Sequence, residues 1–297
     1  YQAGRCRRYF DLLCFTGSGV AQGKELIKLA LFGQPVKSSL SPVIHQVFAG
    51  QFGLDIEYRL IEPAGGDFPQ ALEEFRQTGG VGCNVTLPFK RDAWQLSAGS
   101  SAEVSQAQAA NTLVRQTDGW FAHTTDGAGL VTDLVENHGI DISGQRVLIL
   151  GAGGATAGIL GRLLAQKPGQ VVLVNRNQER ARNLSERFDP TGGIPVTNWL
   201  DLPGQGAFDL VINATSVGHQ GEAPPIGASS FADNGLCYDL NYFKASLPLK
   251  KHCEEIQQPY IDGLGMLVEQ AAKSFTIWTG KTPETSVAIE ACRRDAG

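Results

Sequence analysis

Short apolar runs alternate with amphipathic stretches through the first part of the chain. Residues 27–32 form an apolar run of strand length, broken by Gly33, Gln34 and Pro35. Ser41 followed by Pro42 predicts a helix with Ser41 as N-cap and proline at its first position, running to Phe52 with Val43, Val47 and Phe48 on one face. Residues 56–61 predict a strand, 68–77 a helix ended by Gly79 and Gly80, and 82–87 another strand. Two strands over 110–116 and 120–123 flank a Thr117-Asp118-Gly119 turn, and a helix over 126–138 sets Val131, Leu134 and Val135 on one face. This alternation predicts a small α/β unit.

From residue 145 the pattern is more specific. Val147, Leu148, Ile149 and Leu150 lead into Gly151-Ala152-Gly153-Gly154-Ala155, a helical run to Leu164 and a strand over 171–174. Strand, glycine turn, helix and strand make the opening βαβ unit of a nucleotide-binding domain. Further strands are expected over 208–213 and 236–240, with parallel crossovers continuing to about Pro259. Helices over 264–278, stopped by Gly280, and over 284–293 fall outside that repeat; the pattern leaves open which unit they join. The fold class is therefore two-domain α/β. An N-terminal α/β domain covers 26–127, a Rossmann-like domain 128–259 and C-terminal helices 260–297. Residues 1–25 read as a leader or disordered segment. There, Arg5, Arg7 and Arg8 precede a short apolar patch over 10–15, which a processed or artificially added leader fits better than a targeting segment.

Composition narrows the class. A chain of 297 residues, 42% of them hydrophobic, has room for two cores. A net charge of −5 argues against a dominant nucleic-acid surface. No apolar run approaches membrane-spanning length, so no membrane partner is expected. The six cysteines include no CxxC pair and the five histidines no ligand spacing, so no metal is expected and the cysteines read as reduced thiols. Both a monomer and a homodimer fit.

At the glycine turn, Gly151 allows a tight bend and Gly153 lets the backbone approach a pyrophosphate at the following helix N-terminus; the last position of the GxGxxG pattern holds Thr156. After the second strand an NAD domain usually carries an acidic residue. This chain has Asn175, Arg176 and Asn177, with Arg180 one turn on, which favours a 2′-phosphate and hence NADP. Solvated surface charge is the plainer account of the arginines.

Three polar clusters sit at element ends: Ser38, Ser39 and Ser41; Asn84, Thr86 and Lys90; and Asn111, Thr125 and Asp126. Neutral hydrogen-bonding side chains suit a polyol ring. Each cluster is also explained by capping or by loop backbone. Lys90 and Asp126 are the chemistry candidates, because carbonyl reduction needs a proton donor for the developing alkoxide and a carboxylate can orient it. Composition alone accounts for them equally well as a surface ion pair.

At these residues the chain resembles the shikimate dehydrogenase family. The likeness runs from Leu29 to Glu290 through "NVTLPFK" at Asn84 to Lys90, "AANTL" at Ala109 to Leu113, "TTDG" at Thr124 to Gly127, "GAGGA", "NRN", "NATS", "CYDLNY" and "DGLGMLVEQAA". The resemblance implies NADPH-dependent reduction of 3-dehydroshikimate to shikimate, on the route to chorismate and aromatic amino acids, in the cytoplasm. It implies Lys90 and Asp126 as the catalytic pair and Ser39 and Ser41 on the substrate carboxylate. Thr86, Asn111 and Gln270 would meet ring hydroxyls, with Tyr242 and Asn84 near. Gly153, Gly154 and Ala155 would hold the pyrophosphate; Asn175, Arg176 and Arg180 the 2′-phosphate; Thr215 and Ser216 the ribose side. Gly263 and Met266 would lie at the nicotinamide, near Leu240, which replaces a frequent methionine. It also implies that the closing helices return to the substrate domain. Thr124 and Asn177 depart from the family's usual residues. The rivals are a dual quinate/shikimate dehydrogenase, a non-catalytic NADP-binding regulatory protein and a nicotinamide enzyme with a folate-like substrate.

Overall fold

The structure, a computed structural model, describes residues 26–295; the leader expectation over 1–25 lies outside the described residues. The chain runs β1 (Leu26–Phe32), α1 (Ser41–Phe52), β2 (Asp55–Ile61), α2 (Phe68–Gln77), β3 (Gly82–Val85), α3 (Lys90–Gln95), β4 (Gly99–Ser100), α4 (Ala102–Ala107), β5 (Thr112–Gln116), β6 (Gly119–His123) and α5 (Asp126–Thr132). It continues through β7 (Arg146–Leu150), α6 (Gly154–Ala165), β8 (Gln170–Val174), α7 (Gln178–Phe188), β9 (Val196–Thr197), β10 (Phe208–Asn213), β11 (Phe231–Asp239), α8 (Leu247–Glu255), β12 (Tyr260–Ile261), α9 (Leu264–Thr279) and α10 (Ser286–Asp295).

These strands form two sheets, giving the two-domain α/β architecture. The first is mixed, in the order β2-β1-β3-β5-β6-β4. The second is parallel throughout, in the order β12-β11-β10-β7-β8-β9. Counted from β7, this is the 3-2-1-4-5-6 order of doubly wound dinucleotide-binding domains, whose ligand crevice opens where the order reverses, between β7 and β10. β7 and β8 bury every residue after their first because both faces of a parallel sheet are covered, hence the unbroken apolar runs.

The closing helices stitch the domains together. Leu264, Val268 and Phe275 of α9, and Ala288 and Cys292 of α10, share a core with Leu29 of β1 and Ile44 and Phe48 of α1. Met266 of α9 instead joins Leu173, Ile212 and Tyr238 in the core of the second sheet.

Several local expectations change. Ser41 is the first helical residue of α1 rather than its cap; Leu40 holds the cap position without a side-chain bond, and Ser39 Oγ accepts the Ser41 N–H at 3.2 Å. The strand expected over 82–87 ends at Val85, and Thr86 to Phe89 form a turn that sets Lys90 at the start of α3. The helix expected over 126–138 is α-helical only to Thr132 and then widens into a π-helical turn over Asp133–Asn137. Its buried face is Leu130 and Leu134, while Val135 is 38% exposed. β11 begins five residues before the expected 236; the exposed Asp233 and Asn234, followed by Gly235, interrupt the apolar pattern over its first half.

The first domain's core encloses His45, which is fully buried and stacked on Tyr58 with ring centroids 4.4 Å apart. Burial lowers its pKa from 6.5 to about 3. The folded state therefore keeps His45 neutral over a range in which the unfolded chain binds a proton. Stability from this group is complete above pH 6.5 and is lost as pH falls toward about 3. Between pH 7 and 5 it removes about 2 kcal/mol. Denaturant titrations at both pH values are expected to show His45→Phe losing that much less stability than wild type; equal losses would refute the assignment.

Candidate active site

Lys90 opens α3 and Asp126 opens α5, 36 positions later, yet Lys90 Nζ lies 2.5 Å from Asp126 Oδ2. The two side chains are 13% and 9% exposed, so this is not a solvated surface pair. Asp126 Oδ1 accepts a second hydrogen bond from Asn111 Nδ2 at 2.8 Å. With one oxygen on the amide and the other on the ammonium, the carboxylate has a defined orientation. A Cβ built on Gly154, the first residue of α6, would lie 3.8 Å from Lys90 Cδ, so the lysine reaches across to the nucleotide turn.

Behind this pair lies a buried amide and hydroxyl network. Asn111 Oδ1 accepts the Thr125 N–H at 2.8 Å, which fixes which end of the amide faces Asp126. Its Nδ2 also points to Thr125 Oγ1 and Gln270 Oε1 at 2.8 and 3.2 Å. Asn84 Oδ1 accepts from Tyr58 OH at 2.7 Å, and Asn84 Nδ2 donates to Ser274 Oγ at 3.0 Å. Ser274, fully buried one turn beyond Gln270 on α9, also meets Thr112 Oγ1 and Thr125 Oγ1 at 2.8 and 3.2 Å. Sequence reasoning missed Tyr58, Thr112 and Ser274. The four-residue step from Gln270 to Ser274 is the one signal that could have found Ser274, since it puts both on one helix face.

Ser39 and Ser41 are joined at 3.1 Å between hydroxyls at the entry to α1. Thr86 stands against Gly33, where a Cβ would come 2.3 Å from Thr86 Cγ2. Tyr242 packs edge-on against Phe243 beside the α1–α9–α10 core, where burial raises its pKa. Thr124 lines a small crevice with Glu103, Gly158 and Arg162. A separate cavity of about 260 Å³, lined by Glu136, Glu269 and Thr285 among others, includes neither Lys90 nor Asp126.

The second half of the site lies at the sheet's switch point. Gly151 has φ 103°, and a Cβ there would come 3.1 Å from Ala214 O just past β10, so only glycine fits the turn between β7 and α6. Thr156, at the last position of the glycine pattern, donates its hydroxyl to Gly151 O at 2.9 Å and so closes the turn. The N-terminus of α6 points out of it, and the nearest atom to a Cβ built on Gly153 is Arg180 Nη2 at 3.8 Å. Arg176 and Arg180 are exposed, and neither pairs with a carboxylate among the described residues. Asn177 caps α7 by accepting the Arg180 N–H at 2.9 Å, while Asn175 Nδ2 donates to Asn177 O.

On the far side of the crevice, Thr215 N–H and hydroxyl both donate to Asn213 Oδ1, and Ser216 follows directly. Asn213 and Asn241 donate to Asp239, whose pKa burial pushes up to about 6 against those amide donors. Gly263 is pressed against this loop, where a Cβ would come 2.4 Å from Leu240 O. Met266 is 8% exposed nearby on α9. Among the described residues no cluster of three or more His, Cys, Asp or Glu could hold a metal ion.

A parallel doubly wound domain with an anion-ready glycine turn, set against a buried hydrogen-bond network that holds a largely buried lysine–carboxylate pair, defines a two-domain dinucleotide-dependent enzyme class. Residues 31–113 match the shikimate dehydrogenase substrate binding domain, 133–220 the shikimate/quinate 5-dehydrogenase domain and 263–293 the shikimate 5′-dehydrogenase C-terminal domain. A shikimate dehydrogenase (NADP(+)) of Xanthomonas campestris pv. campestris is 44% identical over 91% of this chain and 96% of its own length. The crystal structure of an Ael1 enzyme from Pseudomonas putida is 37% identical, with TM-score 0.82, covering 89% of this chain and 97% of that one. A Thermus thermophilus shikimate 5-dehydrogenase solved with NADP(H) and shikimate is 28% identical, with TM-score 0.76, over 90% of this chain and 99% of that one. The chain belongs to the shikimate dehydrogenase family.

Proposed function

We propose that this protein is an oxidoreductase that interconverts 3-dehydroshikimate and shikimate with NADP(H), on the route to chorismate and the aromatic amino acids. The observation that carries the reading is the Lys90–Asp126 pair, 2.5 Å apart and set beside the nucleotide turn. The Xanthomonas relative named above as NADP-dependent, and the related structure that holds NADP(H) and shikimate, support it.

The residues fit NADP. Gly151, Gly153, Gly154 and Ala155 leave room for a pyrophosphate at the α6 N-terminus, where unpaired N–H groups favour an anion. Arg176 and Arg180, which pair with no carboxylate among the described residues, take the 2′-phosphate, with Asn175 and Asn177 beside them. Thr215 and Ser216 line the ribose side; Leu240, Gly263 and Met266 line the nicotinamide side. When bound, NADPH supplies the hydride.

This chain's residues do the rest. Ser39 and Ser41 bind the substrate carboxylate. Thr86, Asn111 and Gln270 bind ring hydroxyls, with Asn84 and Tyr242 around them. Lys90 Nζ stabilises the ketone oxygen as charge develops and donates its proton, so that hydride and proton together make the alcohol. In the reverse direction Lys90 takes the hydroxyl proton. Asp126, held by Asn111, keeps Nζ aimed, and solvent restores the proton. Contact between the domains orients the reactants and excludes water. The reading includes action in the cytoplasm, a monomer or homodimer, and neither a nucleic-acid nor a membrane partner. Among the described residues no helix is long and apolar enough to cross a membrane.

The test is NADP+ reduction by purified protein with shikimate, compared with quinate and with NAD+. Turnover confined to shikimate and NADP+ is the expected result. Comparable turnover of quinate would replace this reading by dual specificity, and absence of turnover despite NADPH binding would remove the catalytic assignment.

A further inference from the structure

Helix α5 carries Asp126 into the gap between α6 and α9, and glycines line both contacts. A Cβ on Gly129 would come 2.7 Å from Gln270 N and 2.9 Å from Met266 O, so α5 has no room to retreat toward α9. A Cβ on Gly127 would come 2.8 Å from Arg162 Cβ and 2.9 Å from Gly158 O. The third glycine faces the chemistry. A Cβ on Gly158 would lie 2.8 Å from Asp126 Oδ2 and 3.2 Å from Asp126 Cβ. Gly158 sits inside a 12-residue helix, where glycine costs about 1 kcal/mol relative to alanine. Position 158 thus gives up helix propensity where its backbone meets the oxygen that holds Lys90.

We propose that Gly158 is a positioning residue for the reaction: its missing side chain lets the Asp126 carboxylate rest on α6, which registers the Lys90–Asp126 pair to the nucleotide turn. This inference rests on the catalytic reading of Lys90 and Asp126. Gly154, at the turn, and Gly158 are four residues apart, about one helical turn, so one rigid element spaces the cofactor end from the acid. Asp126 cannot yield to a methyl at 158 without loss. Its Oδ1 is held by Asn111, and its helix is blocked at Gly129. The free motion is rotation of the carboxylate away from Lys90. Two polar ties between the domains, Arg162 to Glu103 at 2.6 Å and Arg187 to Ala107 O at 3.0 Å, make no hydrogen bond to Lys90 or Asp126 and would not restore their pairing.

The test compares Gly158→Ala with Gly161→Ala in the full chain. Gly161 is on the same helix, but its Cβ would meet only the Phe188 ring at 3.3 Å and Gln106 Oε1 at 3.7 Å. Gly158→Ala is expected to lower kcat for shikimate oxidation about 100-fold, with KM for shikimate and NADPH affinity by fluorescence unchanged. Gly161→Ala keeps wild-type kcat. A cycle with Asp126→Ala adds a readout independent of turnover. Once the carboxylate is gone the 2.8 Å contact with Oδ2 is removed and only the 3.2 Å contact with the Cβ of position 126 remains, so Asp126→Ala/Gly158→Ala is expected to turn over no more slowly than Asp126→Ala. The methyl at 158 is also expected to lower the unfolding midpoint less in the Asp126→Ala background than in wild type, a comparison that holds even if Gly158→Ala alone fails to fold. Wild-type kcat in Gly158→Ala, a kcat loss matched by lost NADPH affinity, or additive losses across the cycle would each overturn the inference. Turnover that survives Lys90→Ala would sink the catalytic reading instead, while the unfolding cycle still decides whether the contact exists.

Discussion

Replacing Lys90 by alanine is expected to lower kcat for shikimate oxidation about 1000-fold while KM for shikimate changes little. The side chain acts where charge and a proton move, so its contribution appears in the transition state rather than in ground-state binding. Losing a general acid–base group and losing a donor to a developing oxyanion each cost about 100-fold or more. Structure complicates the variant. Asp126 is 7% exposed, and without the ammonium its carboxylate keeps only the Asn111 amide. Breaking a pair this buried costs up to about 3 kcal/mol of stability. Lys90→Arg separates the two effects. Its guanidinium can keep the ion pair and the fold, yet it does not release a proton in the working range. The expected pattern is a denaturant midpoint recovered in Lys90→Arg with kcat still depressed. Recovery of kcat as well would show that position 90 needs only a positive charge, and the proton-transfer role would fall.

The second large effect is expected at the nucleotide end. Arg176→Ala/Arg180→Ala should raise KM for NADP+ by about 100-fold or more, because a charge-assisted hydrogen bond contributes about 1.5–3 kcal/mol and two guanidiniums are removed. Turnover with NAD+, which lacks the 2′-phosphate, should be nearly unchanged, so the preference narrows from one side. Both arginines are exposed and unpaired with carboxylates among the described residues, so their loss leaves no orphaned partner and little change in stability is expected. Steady-state kinetics with both cofactors read the result directly. An equal rise in KM for NADP+ and NAD+ would mean that the arginines shape the loop rather than read the phosphate. Asn177 is the residue to leave intact here, because its side chain caps α7 and holds Arg180 at the start of that helix.

The sequence by itself determined what depends on local chemistry and on period. Continuous apolar runs at β7 and β8 announced a parallel sheet because both of its faces are buried. Glycine at 151 announced a turn because its backbone lies at φ 103°. Gly280 marked the end of α9 because a left-handed residue at φ 70° stops a helix. Arginines after β8 raise the expectation of a 2′-phosphate by their position alone, and that expectation stays a proposal. Tertiary structure decided everything that needs two distant segments to meet. α3 and α4, six residues each, are too short to display a helical period. Ser41 reads as a cap from its neighbours, but Leu40 takes that position once Ser39 accepts the Ser41 N–H. Lys90 and Asp126 become a pair only when the turn after β3 and the start of α5 converge. Ser274 joins Asn84, 190 positions away, only because α9 crosses behind the first sheet. Gly158 looks like an ordinary helix glycine until Asp126 is set against it. Hydrogen-bond orientation and steric contact act over a few ångströms of space, and chain spacing carries no record of which distant groups will share it.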